Sequence, residues 1–106
     1  MKKVSISEAM DMAKYILSIL KSNVLYMMSW GMNTATVINE DNYYYGLRFK
    51  VNGMKHRGLV DIVYDCGTDT FIVILKNSKG KEKQRVEDVY LDELLHTVDV
   101  LVETNE

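Results

Sequence analysis

Residues 45–64 read YGLRFKVNGMKHRGLVDIVY, and on both sides of Asn52-Gly53 the apolar side chains recur at every second position. A period of two is the mark of a strand with one face buried. Asn-Gly tolerates the positive φ angles of a two-residue type I′ turn, so the segment reads as a β-hairpin. That turn fixes a register in which Val51 faces Met54, Lys50 faces Lys55, Phe49 faces His56, Arg48 faces Arg57, Tyr45 faces Val60 and Tyr43 faces Ile62. One face then collects Tyr43, Tyr45, Leu47, Phe49, Val51, Met54, Val60, Ile62 and Tyr64 as a core side.

The same alternation continues. A turn within DCGTD, residues 65–69, leads into TFIVILKN, and with either a two- or a four-residue loop Phe71, Val73 and Leu75 join the core face. Asn77 to Lys81, with Gly80, makes a further turn, and KEKQRVEDVY returns as an edge strand whose charges discourage edge-to-edge pairing. Upstream, Ser5 and Glu8 form a capping-box pattern for a helix beginning near Ile6 and ending about Ser22 or Asn23. Its apolar stripe is Ala9, Met12, Ala13, Ile16, Ile19 and Leu20. VLYMMSW, residues 24–30, is apolar on both alternating faces and predicts a strand covered on two sides, with a buried irregular segment as the alternative; Gly31 to Asn42 predicts a connection, with Thr36 to Ile38 prolonging the pairing. From Leu91 a second stripe, Leu91, Leu94, Leu95, Val98, Leu101 and Val102, predicts a C-terminal helix capped by Asp88 or Asp92. The expected architecture is α+β: a four- or five-stranded antiparallel meander flanked in sequence by an N-terminal and a C-terminal helix, packed as two layers.

At 106 residues the chain is expected to be one domain, residues 1–106, and at 47% hydrophobic and 26% charged it is neither disordered nor coiled coil in composition. A net charge of -2 gives no global attraction to phosphate or anionic lipid, so any basic site must be local. One cysteine, Cys66, cannot pair internally, Ser5, Ser7, Glu8 and Asp11 stand where a signal peptide would be apolar, and no run is long enough to cross a bilayer. Together these predict a cytoplasmic protein with no membrane role.

Function is sought on the face opposite the core. Tyr44, Arg48 and Lys50 on one strand and Lys55, Arg57 and Asp61 on the next form a basic hairpin face in the type I′ register. That register sets Arg48 against Arg57 and Lys50 against Lys55, each like-charge pair destabilising by roughly 0.2–1 kcal/mol unless an acidic partner, a phosphate backbone or the chain's own Glu82, Glu87 and Asp88 compensate it. The candidate binding residues are therefore Tyr44, Arg48, Lys50, Lys55 and Arg57, weighed against a merely solvated face. Farther along, Leu59, Val63, Ile72 and Ile74 replace the charges and form a candidate interface for a second copy or a partner protein, unless a helix or the 31–42 connection covers them.

Other chemistries find little support. YYGLRFKV keeps only a Gly and a Phe of the aromatic string that single-stranded RNA readers expose, and its strands lie in a meander. His56 reads as a packed or rim histidine. His96 with Asp92 and Asp99 reads as a solvated helix face, DCGTD as turn chemistry, and Cys66 as a small turn residue, so no metal site is expected. The sequence holds no GxSxG, P-loop, GxGxxG or HExxH, and neither enzymatic activity nor a cofactor is expected.

GLRFKVNGMKHRGLVDIVYDCGTDTFIVIL followed by VYLDELLHTVDVLVE resembles a pattern found in small bacterial, phage or mobile-element proteins built as helix, antiparallel meander, helix. The resemblance implies a small accessory protein that binds another macromolecule, and it carries over no activity and no site residue. The expected function is a non-enzymatic binding or accessory module acting through protein-protein contacts on its sheet face, with a homodimer as one form. Nucleic-acid binding by the basic hairpin face is the runner-up.

Overall fold

The computed structural model describes residues 6–22, 24–39 and 45–102. Its elements are α1 (Ile6–Lys21), α2 (Val24–Trp30), β1 (Asn33–Asn39), β2 (Tyr45–Asn52), β3 (Arg57–Asp65), β4 (Thr70–Lys76), β5 (Glu82–Val89) and α3 (Leu94–Val102), the last entered through a 3-10 turn at Leu91–Glu93. The five strands form one antiparallel sheet in the order β1-β2-β3-β4-β5. The helices form a second layer on one face, which is the α+β meander that the alternation predicts. Tyr43, Tyr44 and the capping-box Ser5 lie outside the described residues.

The core follows from the two periodicities. Ala9, Ala13, Ile16 and Leu20 of α1 and Leu94, Val98, Leu101 and Val102 of α3 are buried, and all but Ala9 meet Leu47, Phe49, Val60, Ile62, Val73 and Leu75 from the sheet in one cluster. Along one end of the core face Tyr45, Tyr64 and Phe71 run across three strands, with ring centroids 6.0 and 5.6 Å apart. Met54 is the exception on the predicted core face, at 78% exposure, because it lies in a loop and not in the ladder.

Three expectations are corrected. VLYMMSW is a helix: Leu and Met are good helix formers, and a short apolar run does not fix its own period. Trp30 is fully buried, stacks on Phe49 with centroids 6.4 Å apart, and donates its Nε1 hydrogen to Asp99 Oδ1 at 3.0 Å, tying α2 to α3, while Leu25 and Met28 face solvent. The 31–42 stretch is not simply a connection, since residues 33–39 form β1, an edge strand in which Ile38 alone is buried. Nor does an aspartate cap the last helical segment. Tyr90 stands at that cap with no side-chain cap hydrogen bond, and Leu91 is exposed.

The hairpin register is the fourth correction, and it has the largest consequences. Arg48 is opposite Asp61, Phe49 opposite Val60, Lys50 opposite Leu59 and Asn52 opposite Arg57, so the loop is the four residues Gly53 to His56. Among the described residues positive φ falls on Gly31, Gly58, Gly80, Thr34, Asp69 and Asp88, not on Asn52 or Gly53, and no type I′ turn forms. The loop instead closes the end of α3. The backbone N–H groups of Lys55 and His56 both donate to Val102 O, at 2.9 and 3.2 Å, and Lys55 Nζ donates to Val100 O at 3.0 Å. Helix-end carbonyls need such donors, and a cation is favourable there. His56 is buried in this loop with Nε2 3.0 Å from Leu59 O, so Nε2 carries the proton and donates. The shift from the expected register is four residues, an even number, so every side chain that stays in the two strands keeps its predicted face, and only those taken into the loop leave it.

Gly46 shows how closely the strands pack. A Cβ at this position would lie 2.0 Å from the carbonyl oxygen of Ile62, so only glycine fits in β2 beside β3. Gly46→Ala is expected to cost at least about 2 kcal/mol of folding stability in urea titrations; an unchanged midpoint would show that the strands do not approach so closely.

Candidate functional site

The register turns the outer sheet face into a paired array of charge. Arg48, Asp61, Ile74 and Arg85 form one row across β2 to β5, and Lys50, Leu59, Lys76 and Glu82 fill the next. Asp61 is buried at 2% exposure and is held on both oxygens: Arg48 Nε and Nη2 donate to Oδ1 and Oδ2 at 2.8 and 2.9 Å, and Lys76 Nζ lies 2.8 Å from Oδ2. A buried carboxylate is tolerated only with such partners. On the edge strand Arg85 Nη2 and Nε donate to Glu82 at 2.8 and 3.2 Å, and its Nη1 is 3.7 Å from Glu87. Those hydrogen bonds hold the Glu82 carboxyl below its ordinary range.

Beside the charges lies a second apolar cluster of Ile38, Val63 and Ile74, with Ile72 packed against it. Ile38, Val63 and Ile74 join Asp61, Lys76, Glu82 and Arg85 in lining a cleft of about 260 Å³. Three aliphatic and four charged side chains thus share its lining, the charged Asp61 as deeply buried as the aliphatic ones.

The candidate residues read from sequence are partly brought together here. Arg48 is on the outer face but spends its guanidinium on Asp61, whereas Lys55 has left the face for the end of α3. Lys50 is exposed and lines a separate 230 Å³ depression with Leu59, and Arg57 is exposed at the start of β3, opposite Asn52. The like-charge pairs Arg48 with Arg57 and Lys50 with Lys55 do not occur, because the four-residue loop moves each cation past the other. Tyr44 lies outside the described residues. Of the aliphatic set, Val63 and Ile74 are buried at 2% and 3% exposure, and Leu59 and Ile72 are half-buried.

Lys76, Arg85 and Ile38 are not assigned to the site by the sequence reading, and Glu82 enters it only as one of the acidic residues that could compensate the cations. One further step of the parity that places Ile72 and Ile74 would have put Lys76 on the same face. The remaining three required the pairing of β1 and β5, which carry little hydrophobic pattern.

Elsewhere Asp99 is committed to Trp30, and among the described residues no three His, Cys, Asp or Glu side chains group as metal ligands. Cys66 is exposed in the 65–69 turn, where Asp65 Oδ1 accepts from Gly67 N and Asp69 accepts from the Tyr64 hydroxyl at 2.5 Å. The paired aspartates thus do turn chemistry. The chain matches no protein-family model, no curated protein and no solved structure.

Two measurements test this electrostatic account. Asp61→Ala should destabilise the fold by about 2–4 kcal/mol in denaturant titrations, somewhat less than for a wholly buried pair because Arg48 and Lys76 keep some solvent contact. The hydrogen bond to Asp69, aided by burial, pushes the Tyr64 hydroxyl up to about 12 from 10.0. A raised folded-state value means that this contribution is full below pH 10 and is lost as pH rises toward 12. An absorbance titration should show one tyrosine ionising near pH 12, and Asp69→Ala should return it toward 10.

Proposed function

We propose that the chain is a non-enzymatic binding module that acts through protein-protein contacts on the outer face of its sheet, at the cleft between Ile38 and Arg85. The observation that carries this reading is the cleft itself, aliphatic side chains beside ion pairs, on the face opposite the described helices. Its two ion-pair systems differ in strength. The Arg48-Asp61-Lys76 set is built around a buried carboxylate and stays closed, whereas Arg85 and Glu82 form an exposed, solvent-screened pair, which a partner can open. The partner that fits is a polypeptide segment offering an aliphatic side chain to the aliphatic part of the lining and a carboxylate to Arg85. Phosphate-backbone binding fits less well, because Asp61, Glu82 and Glu87 lie among Arg48, Lys76 and Arg85, and Lys55 serves a helix end. A small cytoplasmic accessory protein, of the phage or mobile-element kind, is the setting that this reading implies.

The test uses Arg85→Glu and Ile72→Lys, both on side chains that retain solvent contact. Proteins captured from the native host by the wild type should be lost with either variant, while circular dichroism stays unchanged and oligonucleotides do not bind at low salt. The same proteins captured by folded variants, or tight salt-sensitive oligonucleotide binding, would contradict the proposal.

A further inference from the structure

The two edges of the sheet are built oppositely. β5 carries Glu82, Lys83, Arg85, Glu87 and Asp88, departs from regular register at two places, and has Asp88 at φ 57, all features that discourage another strand from pairing with it. β1 is the other edge, and its sequence NTATVIN holds no charge and no proline. Its irregular part lies at its start, between Asn33 and Thr36, where Thr34 also has a positive φ of 53; from Thr36 to Asn39 the ladder with β2 is regular. Thr36 and Val37 are exposed there, Val37 at 40%. An exposed, neutral, β-branched edge is a template for strand addition.

We infer that a second copy of this chain pairs with that edge, β1 against β1, to make a ten-stranded sheet with a two-fold axis at its centre. This surface is separate from the outer-face cleft, and the inference does not rest on the function proposed there. Charge decides the occupant: an uncharged strand meets its own copy without like-charge repulsion. Pairing of β1 with the β5 of another copy would propagate without closing, and the charges and bulges of β5 oppose it, so the self-pairing that closes is the one left open.

The helix layer agrees with the same axis. Exposed Ile6 and Met10 lie on the same side of α1 as Leu17, and Met10, Leu17 and Val37 line an apolar groove of 140 Å³ between α1 and β1. With strands about 4.8 Å apart, α1 lying over β1 and β2 would come within about 10 Å of its symmetry mate. That is the ordinary spacing of packed helices, roughly 8–10 Å, and it would bury the two Ile6-Met10-Leu17 stripes against each other. Lys14, at the rim of the groove and exposed, can extend its ammonium past the neighbouring helix into solvent.

Light scattering on the eluting full chain, across a concentration series, tests this. The wild type should approach twice the 12.2 kDa monomer mass, and Val37→Lys and Met10→Glu should each return it to monomer with helical and strand signals intact. Arg85→Glu, at the other edge, should leave the dimer in place. A wild type that stays monomeric at the highest concentration, assemblies that grow beyond two, or a dimer that survives folded Val37→Lys or Met10→Glu would overturn the proposal. Should either substitution unfold the chain, amide exchange decides: β1 protection in the wild type must rise with concentration, and protection independent of concentration overturns the proposal.

Discussion

The end of α3 needs hydrogen-bond donors, and the loop between β2 and β3 supplies them. The amides of Lys55 and His56 reach Val102 O, and the Lys55 ammonium reaches Val100 O. A buried polar group left without a partner costs about 1–3 kcal/mol, which outweighs the local preference of Asn-Gly for a tight turn. The longer loop moves β3 along β2 so that Arg48 meets Asp61 instead of Arg57. One capping contact therefore sets the charge pattern of the whole outer face. It exchanges two predicted like-charge contacts, at roughly 0.2–1 kcal/mol each, for a buried carboxylate with both oxygens satisfied.

That exchange bears directly on what the surface can do. Cations arranged across a ladder without counter-charges would draw a polyanion, whereas cations pinned by carboxylates give specificity for a shaped, mixed-charge partner. The cations beside the cleft are pinned in this second way, and the cleft is lined by Ile38, Val63 and Ile74 together with Asp61, Lys76, Glu82 and Arg85. The two edges of the sheet also differ in charge, β5 being charged and β1 neutral.

Parity was legible in the sequence, and register was not. The alternation from Tyr45 to Leu75 places each described strand residue on its proper face, and an error of four residues preserves that placement completely. Register depended on α3, some forty residues away in sequence, and no local turn preference reports such a contact. VLYMMSW shows a different limit, because a run apolar at all positions but Ser29 carries no clear period, and its fate as a helix is decided by where Trp30 finds Phe49 and Asp99. β1 was obscure because an edge strand with one buried residue carries almost no hydrophobic pattern. The candidate site shared these fates: Arg48, Leu59, Val63, Ile72 and Ile74 fell on the outer face by parity, and Lys55 left it through the loop.

The register of the central hairpin is the claim on which the account turns, and backbone nuclear Overhauser contacts across β2 and β3 in solution measure it directly. Contacts linking Arg48 with Asp61, and Phe49 with Val60, are the predicted result. Contacts linking Arg48 with Arg57, and Lys50 with Lys55, would mean that the tight Asn52-Gly53 turn forms, that α3 is capped otherwise, and that the basic face is free.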